Sequence, residues 1–433
     1  MKKILILGLI FTFSLGILQP AQSTDHKLYW IKIAATDKFQ RSLIANTGAS
    51  IEIAKDDYVI AFGNEVNLKK IQKIAKVISY SDIIAEEKFH AETQFGKTDF
   101  PSSDSNFHNY TELTAELQKL ANENPDIVHL SSIAKTNENR DIWAVRITKD
   151  LNIADQKPAV IYMGGHHARE HVSVEIPLMW AQYLISEYRK GNQRIVDLIN
   201  SRDIHIIPAV NPDGLEFDVS GAKYKLWRKN RTQNSDGTYG VDLNRNYGYR
   251  WGTGGSSTNT TDDTYMGPKP FSEIETQAVK NYVEAHTNIT VLLTVHTFSK
   301  LILFPWGSTH EKLEIMNDRQ VHEKMAAKMS TWNGYKPQQS SDLYIASGDT
   351  VDWAYGTHKI ISFTFELDPD SSAASSVGGL GDLLNSKCAG LYSPSCAGFY
   401  PGQAVINPTF TKNIEPFLYL LEYSDNPYRV LQN

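Results

Sequence analysis

The sequence predicts an α/β protein with a mixed, mostly parallel central sheet covered by helices, preceded by a small ferredoxin-like α+β module. Three observations predict it. From Tyr110 onward, helical and strand patterns alternate for most of the chain, as in covered parallel sheets. Residues 27–80 carry the order β-α-β-β-α-β, the split βαβ arrangement. Between the two lies a polar stretch from about Lys88 to Asn106, a linker by composition. A chain of 433 residues exceeds one ordinary domain, which suits a small unit followed by a large one.

Taken in order, the chain begins with two lysines, an apolar run from Ile4 to Leu18, and Ala21-Gln22-Ser23. This reads as a secretory signal over residues 1–23, cut after Ser23. The apolar run is short for a membrane span, and no later stretch is long enough for one. The mature protein is therefore expected to be exported and soluble, extracellular or periplasmic, with no membrane contact once the signal is gone. A net charge of −6 argues against a nucleic-acid partner.

In the small module, Leu28 to Ile33 reads as a strand and Lys38 to Ala45 as a helix. Ile51-Glu52-Ile53 and Tyr58 to Phe62 form a hairpin, Val66 to Val77 has helical spacing, and a strand follows. No catalytic constellation falls within it. The linker after it, with Gly96, Pro101 and Ser102 to Ser105, is a natural site for proteolysis.

In the large unit, Tyr110 to Asn122 is predicted helical, and Asp141 to Ile147 and Pro158 to Met163 are predicted strands. Helices follow at Val174–Lys190 and Ile195–Asn200, with strands at Asp203–Pro208, Ile289–His296 and Ile360–Glu366. Residues 215–270 form a long segment rich in Gly, Asn, Ser and Thr, which predicts a functional wall. The only cysteines are Cys388 and Cys396, and in an exported protein a disulfide closing that short loop is expected.

The stretch around which the unit is organised is Gly164-Gly165-His166-His167-Ala168-Arg169-Glu170-His171. It sits where a buried strand ends and a helix begins, the usual place for ligands in α/β proteins. His167 and Glu170 are three apart, so in a tight turn both can converge on one ion; His166 has no acidic partner at that spacing. An HxxE pair alone is not specific for metal, and a catalytic zinc would need a third protein ligand from elsewhere. His296, ending an apolar strand, is a candidate for it. Glu366 ends a strand too apolar to be a solvated face, and a carboxylate there is either strained or useful.

Seven segments bind these pieces together: HHAREH (166–171), NPDG (211–214), WRKNR (227–231), GVDLNRN (240–246), VHT (295–297), LYIASGDTVDW (343–353) and FTFEL (363–367). In this order and spacing, the chain from about 100 to 425 resembles zinc carboxypeptidases of the A/B type, most of all the bacterial carboxypeptidase T branch. The resemblance implies a zymogen with a signal peptide (1–23), a propeptide domain (24–98) and a catalytic domain (99–433), the DFP at 99–101 looking like a mature start.

It also implies one Zn²⁺ per chain held by His167, Glu170 and His296, with Asp242 a carboxylate behind the first histidine. Glu366 would be the general base and Arg228 the oxyanion stabiliser. Arg245 would grip the terminal carboxylate of the substrate, with Asn244 and Tyr344 completing the clamp and Arg169 lining the path further in. The partners implied are peptide and protein C-termini and an activating protease, and the enzyme is expected to be a monomer.

In the family, the stretch after the clamp tyrosine sets the floor of the specificity pocket. Val351 falls where members preferring large hydrophobic residues are apolar, and Asp349 where dual-specificity bacterial relatives carry an acid. Asp349-Thr350-Val351-Asp352 equally reads as a helix N-cap, and both readings stand. Departures are few. Phe298 stands where many animal members have tyrosine, and Ser371 to Ser395 has no counterpart and would narrow the funnel mouth. Two alternatives remain: a peptide-binding pseudoenzyme, which the intact ligands and base oppose, and an amidase, which the Asn244-Arg245 and Tyr344 clamp opposes.

Overall fold

Alternating apolar residues make the N-terminal unit a sheet with two buried faces. In the computed structural model its strands are β1 (Leu28–Ala34), β2 (Ser50–Ala54), β3 (Tyr58–Asn64) and β4 (Val77–Asp82), in the order β2-β3-β1-β4. β1 pairs with β3 and β4, and β2 with β3, all antiparallel, as in ferredoxin-like units. Ile31, Ile33, Val59 and Ala61 form one cluster with Ile44, Leu68 and Ile71 from the unit's helices, Lys38–Ala45 and Glu65–Ile74. Trp30, Ile53, Ile60 and Phe62 point the other way and join the apolar core of the large unit. Both helices start on a side-chain cap, Asp37 and Asn64.

The structure describes residues 27–82, 100, 104–220, 224–368, 387–388, 391–392 and 396–432. The signal peptide, most of the linker, most of Ser371–Ser395 and the side chains of Cys388 and Cys396 lie outside the described residues. No described helix is long and apolar enough to cross a membrane.

The large unit is built on an eight-stranded sheet. Its strands are β5 (Val128–Lys135), β6 (Asp141–Ile147), β7 (Ala159–Met163), β8 (Asp203–Ile207), β9 (Ile289–Thr297), β10 (Leu301–Phe304), β11 (Lys336–Gln339) and β12 (Ile361–Leu367). The spatial order is β11-β10-β12-β9-β7-β8-β6-β5. The middle run β12-β9-β7-β8 is parallel, while β10 against β12 and β6 against both β5 and β8 are antiparallel. One face packs on helices Val172–Arg189, Met316–Asn333 and Ile406–Tyr423, and the other on Ile274–Ala285 and Thr350–His358.

The chain leaves β7 for β8 on one side and later places β9 on the other, so the order reverses at β7. Such a reversal opens a crevice beyond the strands' C-terminal ends. The turn that fills it requires glycine twice. A Cβ on Gly164 would lie 1.9 Å from the Ser173 carbonyl oxygen, and Gly165 has φ +63°.

The start of the large unit is tied down by His108, whose Nδ1 lies 2.8 Å from Glu175 Oε2 while its backbone N–H donates to Oε1 at 2.7 Å. The bond to Glu175 raises the His108 pKa against the opposing effect of burial, and Glu112 and Glu116 add to the rise. A raised folded-state pKa means that the contribution is fully present below the ordinary imidazole pKa and is lost as pH rises through the raised value. The melting-temperature advantage of wild type over His108→Gln should therefore be largest near pH ~5.5 and shrink toward pH ~9. A difference independent of pH would refute this.

Candidate active site

Three side chains converge at the crevice. His167 and Glu170 come from the turn after β7, and His296 from the end of β9. His167 Nδ1 lies 2.8 Å from Glu170 Oε1 and 3.1 Å from His296 Nδ1, which is 3.0 Å from Glu170 Oε2. All three residues are buried, and they are the one group of three or more potential ligands found among the described residues.

The protonation pattern decides what this cluster is for. His167 Nε2 lies 3.2 Å from Asp242 Oδ1, and an ionised carboxylate only accepts, so Nε2 carries the proton. Asp242 is ionised: burial opposes the charge, but Arg228 and His167 hold its pKa well below the ordinary carboxylate range. In the neutral imidazole, Nδ1 is then a bare lone pair aimed at a carboxylate. Burial keeps His296 below its usual pKa, so it too offers a lone pair. Lone pairs aimed at one another call for a cation between them. A tetrahedral zinc with bonds of about 2.0–2.1 Å sets its ligand atoms roughly 3.3 Å apart, close to the separations here. The donor set fits zinc.

His166 stays outside the cluster. It is packed against Tyr247 Oη at 3.0 Å and Thr294 Oγ1 at 3.3 Å.

Glu366 lies directly beside His296 in the β12–β9 register. Burial, then the charge of Glu170, pushes its carboxyl well above the usual range against the pull of Arg228 and Arg245. A dication in the cluster would draw it back toward the ionised form that a base needs. It lines a cavity of about 90 Å³ together with His167, Glu170, Arg228, Asn244 and Arg245. Tyr344, Asp349 and Val351 line the same cavity. Of the residues expected there from sequence, three do not line the cavity: His296, which meets His167 and Glu170 beneath it, Arg169, which lies behind Glu52, and Asp242, which lies behind His167 and Arg228.

Local contacts orient these groups. Arg228 donates from Nε and from its far nitrogen to Asp242 Oδ2, at 3.0 and 2.9 Å, so one carboxylate positions both His167 and Arg228. Asn244 Oδ1 accepts from the Thr350 N–H and hydroxyl at 3.0 and 2.9 Å, which leaves its Nδ2 donors for the cavity. Arg245 is held by the carbonyls of Gly255 and Asn244. Asp349 sits both at a helix start and on the cavity wall. It caps the helix Thr350–His358, accepting from Asp352 N–H at 2.7 Å, and it lines the cavity.

Sequence reasoning missed contributors of three kinds. Thr350 orients Asn244, and Leu301 and Leu303 of β10 form part of the cavity wall. The third is Glu52, in a module that held no catalytic pattern. Glu52 enters the cavity from β2 and accepts from Arg169 at 2.7 Å, while the Tyr344 hydroxyl donates to the Ile51 carbonyl at 3.3 Å. Between Ile51 and Ile53 of a hairpin strand, Glu52 carries no local signal of a site.

Residues 113–416 match the zinc carboxypeptidase family. The chain is 31% identical to a zinc carboxypeptidase of Saccharothrix mutabilis subsp. capreolus, over 98% of this chain and 95% of that protein. It is 34% identical to carboxypeptidase A2 of Rattus norvegicus, over 60% of this chain and 62% of that protein. In fold it is similar to a carboxypeptidase A from Helicoverpa armigera, with a TM-score of 0.70 at 24% identity over 92% of this chain and 97% of that one. With the His167–Glu170–His296 cluster in place, these similarities make the chain a member of the zinc carboxypeptidase family, a zinc-dependent peptide hydrolase.

Proposed function

We propose that the chain is a secreted carboxypeptidase made as a zymogen, in which module 24–98 keeps domain 99–433 latent until the linker is cut. Once cut, it removes C-terminal residues of peptides and proteins with broad specificity. The observation that carries this reading is one cavity lined by His167 and Glu170 of the metal cluster, by Glu366, and by Asn244, Arg245 and Tyr344.

Zinc, when bound by His167, Glu170 and His296, polarises the scissile carbonyl and lowers the pKa of water. Arg245 and Asn244 offer donors to the terminal carboxylate, an acceptor-only group, and so select a chain end over a chain interior. Glu366 is positioned to take a proton from the attacking water and return it to the departing amine. Arg228, held by Asp242, supplies fixed positive charge where the carbonyl oxygen becomes anionic. The site is stopped by β2, which holds Tyr344 through the Ile51 carbonyl and puts Glu52 in the cavity.

Three outcomes test the reading. Glu366→Gln should keep fold and zinc yet lose about two to four orders of magnitude in kcat; near-normal turnover in a zinc-loaded variant would remove the base assignment. The intact protein should be nearly inactive and gain activity on cleavage between about Lys88 and Ser105, whereas equal activity before and after would remove the zymogen claim.

The third concerns Asp349. Burial, then Asp352, pushes its carboxyl well up, so it takes on charge most readily when a cation enters the pocket. A charged hydrogen bond is worth about 1.5–3 kcal/mol, roughly ten- to a hundredfold in selectivity. Asparagine still caps a helix. Asp349→Asn should therefore lower kcat/KM selectively for peptides ending in Arg or Lys, against matched Leu and Phe peptides. A uniform change over all four would leave Asp349 as a cap alone.

A further inference from the structure

Of the segment WRKNR the mechanism uses only Arg228, yet the side chain most deeply buried there is Asn230. Arg228 and Asp242 come from two stretches outside the sheet, 227–231 and 240–246. Their main chains must lie in register for the two side chains to meet. Asn230 ties them in both directions. Its backbone N–H donates to the Val241 carbonyl at 3.1 Å, and its side-chain Oδ1 accepts from the Val241 N–H at 2.8 Å. The stretches run so close that a Cβ on Gly240 would lie 2.6 Å from the Asn230 carbonyl oxygen. The tie reaches the metal-binding turn too, because the Arg228 carbonyl accepts from the Ala168 N–H at 3.0 Å.

The amide of Asn230 can face only one way, since a flipped amide would set its hydrogens against the Val241 N–H. Nδ2 therefore points away from Val241, where it donates to Glu273 Oε2 at 2.8 Å and to Glu275 Oε2 at 3.1 Å. Both carboxyls are buried at the start of helix Ile274–Ala285. Glu273 also accepts from the Ser272 and Thr232 hydroxyls, whereas Glu275 Oε1 has no partner among the described residues. Burial, then the charge of Glu273, pushes the Glu275 carboxyl up to about 8. At pH ~7 Glu275 thus anchors the amide as a neutral acid.

We propose that Asn230 is a positioning residue for the reaction: anchored by Glu273 and Glu275, it sets the register in which Asp242 aims Arg228 at the developing oxyanion. Asn230 does not line the cavity and acts through Arg228. The proposal rests on the carboxypeptidase reading above and adds a group to its machinery.

A double-mutant cycle on the cut, zinc-loaded enzyme tests it. Asn230→Ala should lower kcat about ten- to a hundredfold, as a small misplacement of a catalytic group does, with KM within about twofold. In an Arg228→Gln background the same substitution should cost less than about twofold, since no guanidinium is left to aim. An equal loss in both backgrounds, or no loss in the wild-type background, overturns the proposal. Should Asn230→Ala not fold, Glu275→Ala removes an anchor while leaving the main-chain ties, and goes through the same cycle. A loss of about tenfold that disappears with Arg228 supports the proposal, and an additive loss or none overturns it. An enzyme that cleaves no peptide in any form fails the carboxypeptidase reading instead. Crystals of the same variant then decide: Arg228 parted from Asp242 supports the register claim, and a pair still bonded at about 3 Å overturns it.

Discussion

The structure depends on one electrostatic constraint: lone pairs from His167, His296 and Glu170 aim at a common point, and only a cation there makes that arrangement favourable. Asp242 enforces it. By accepting from His167 Nε2 it fixes the tautomer that leaves Nδ1 bare, and by accepting from Arg228 it stays ionised in a buried setting. A neutral side chain at this position would let His167 turn its proton toward Glu170 and close the cluster as an ordinary hydrogen bond. The parallel register supplies the rest, since β9 and β12 run side by side and deliver His296 and Glu366 to the same edge. The wall segment then needs only to bring Arg228, Asn244 and Arg245 over that edge, which it does through buried contacts rather than regular elements.

The N-terminal unit uses the same edge in another way. Its helices cover one face of its sheet, and its other face meets the large unit through Trp30, Ile53, Ile60 and Phe62. Polar contacts surround that apolar patch. Lys38 pairs with Asp342 at 2.7 Å, Arg41 donates to the Leu343 carbonyl at 2.7 Å, and Asn64 and Asn67 donate to Asp262 at 2.9 and 3.1 Å. An apolar centre with a polar rim is the anatomy of a specific interface. It sets β2 across the cavity mouth.

Much of this was legible in the sequence, and the exceptions have physical causes. The strands that build the site, β7, β8, β9 and β12, are buried on both faces and read as apolar runs to within a residue at each end. β11 was not legible because Lys336-Pro337-Gln338-Gln339 is a polar edge strand, and proline is tolerated at such an edge. β5, with Ser131 and Ser132 on an edge of the sheet, lacked an apolar run as well. At the site, the family resemblance pointed to His167, Glu170, His296, Glu366, Asn244, Arg245 and Tyr344, which the structure brings to one crevice. It could not show that Asp242 serves Arg228 as well as His167, because both contacts form across loops with no periodicity. Glu52 was least accessible of all. It lies 117 residues from Arg169, and only the docking of two units brings them together.

The central claim is that this cavity, with its metal cluster, removes residues one at a time from chain ends. Mass spectrometry of defined peptides incubated with the cut protein tests it most directly, with and without a zinc chelator. The account predicts a ladder of products shortened from the C-terminus, absent for C-terminally amidated peptides, abolished by the chelator and restored by added zinc. Internal cleavage, or a C-terminal ladder that persists in the fully metal-free protein, would contradict it.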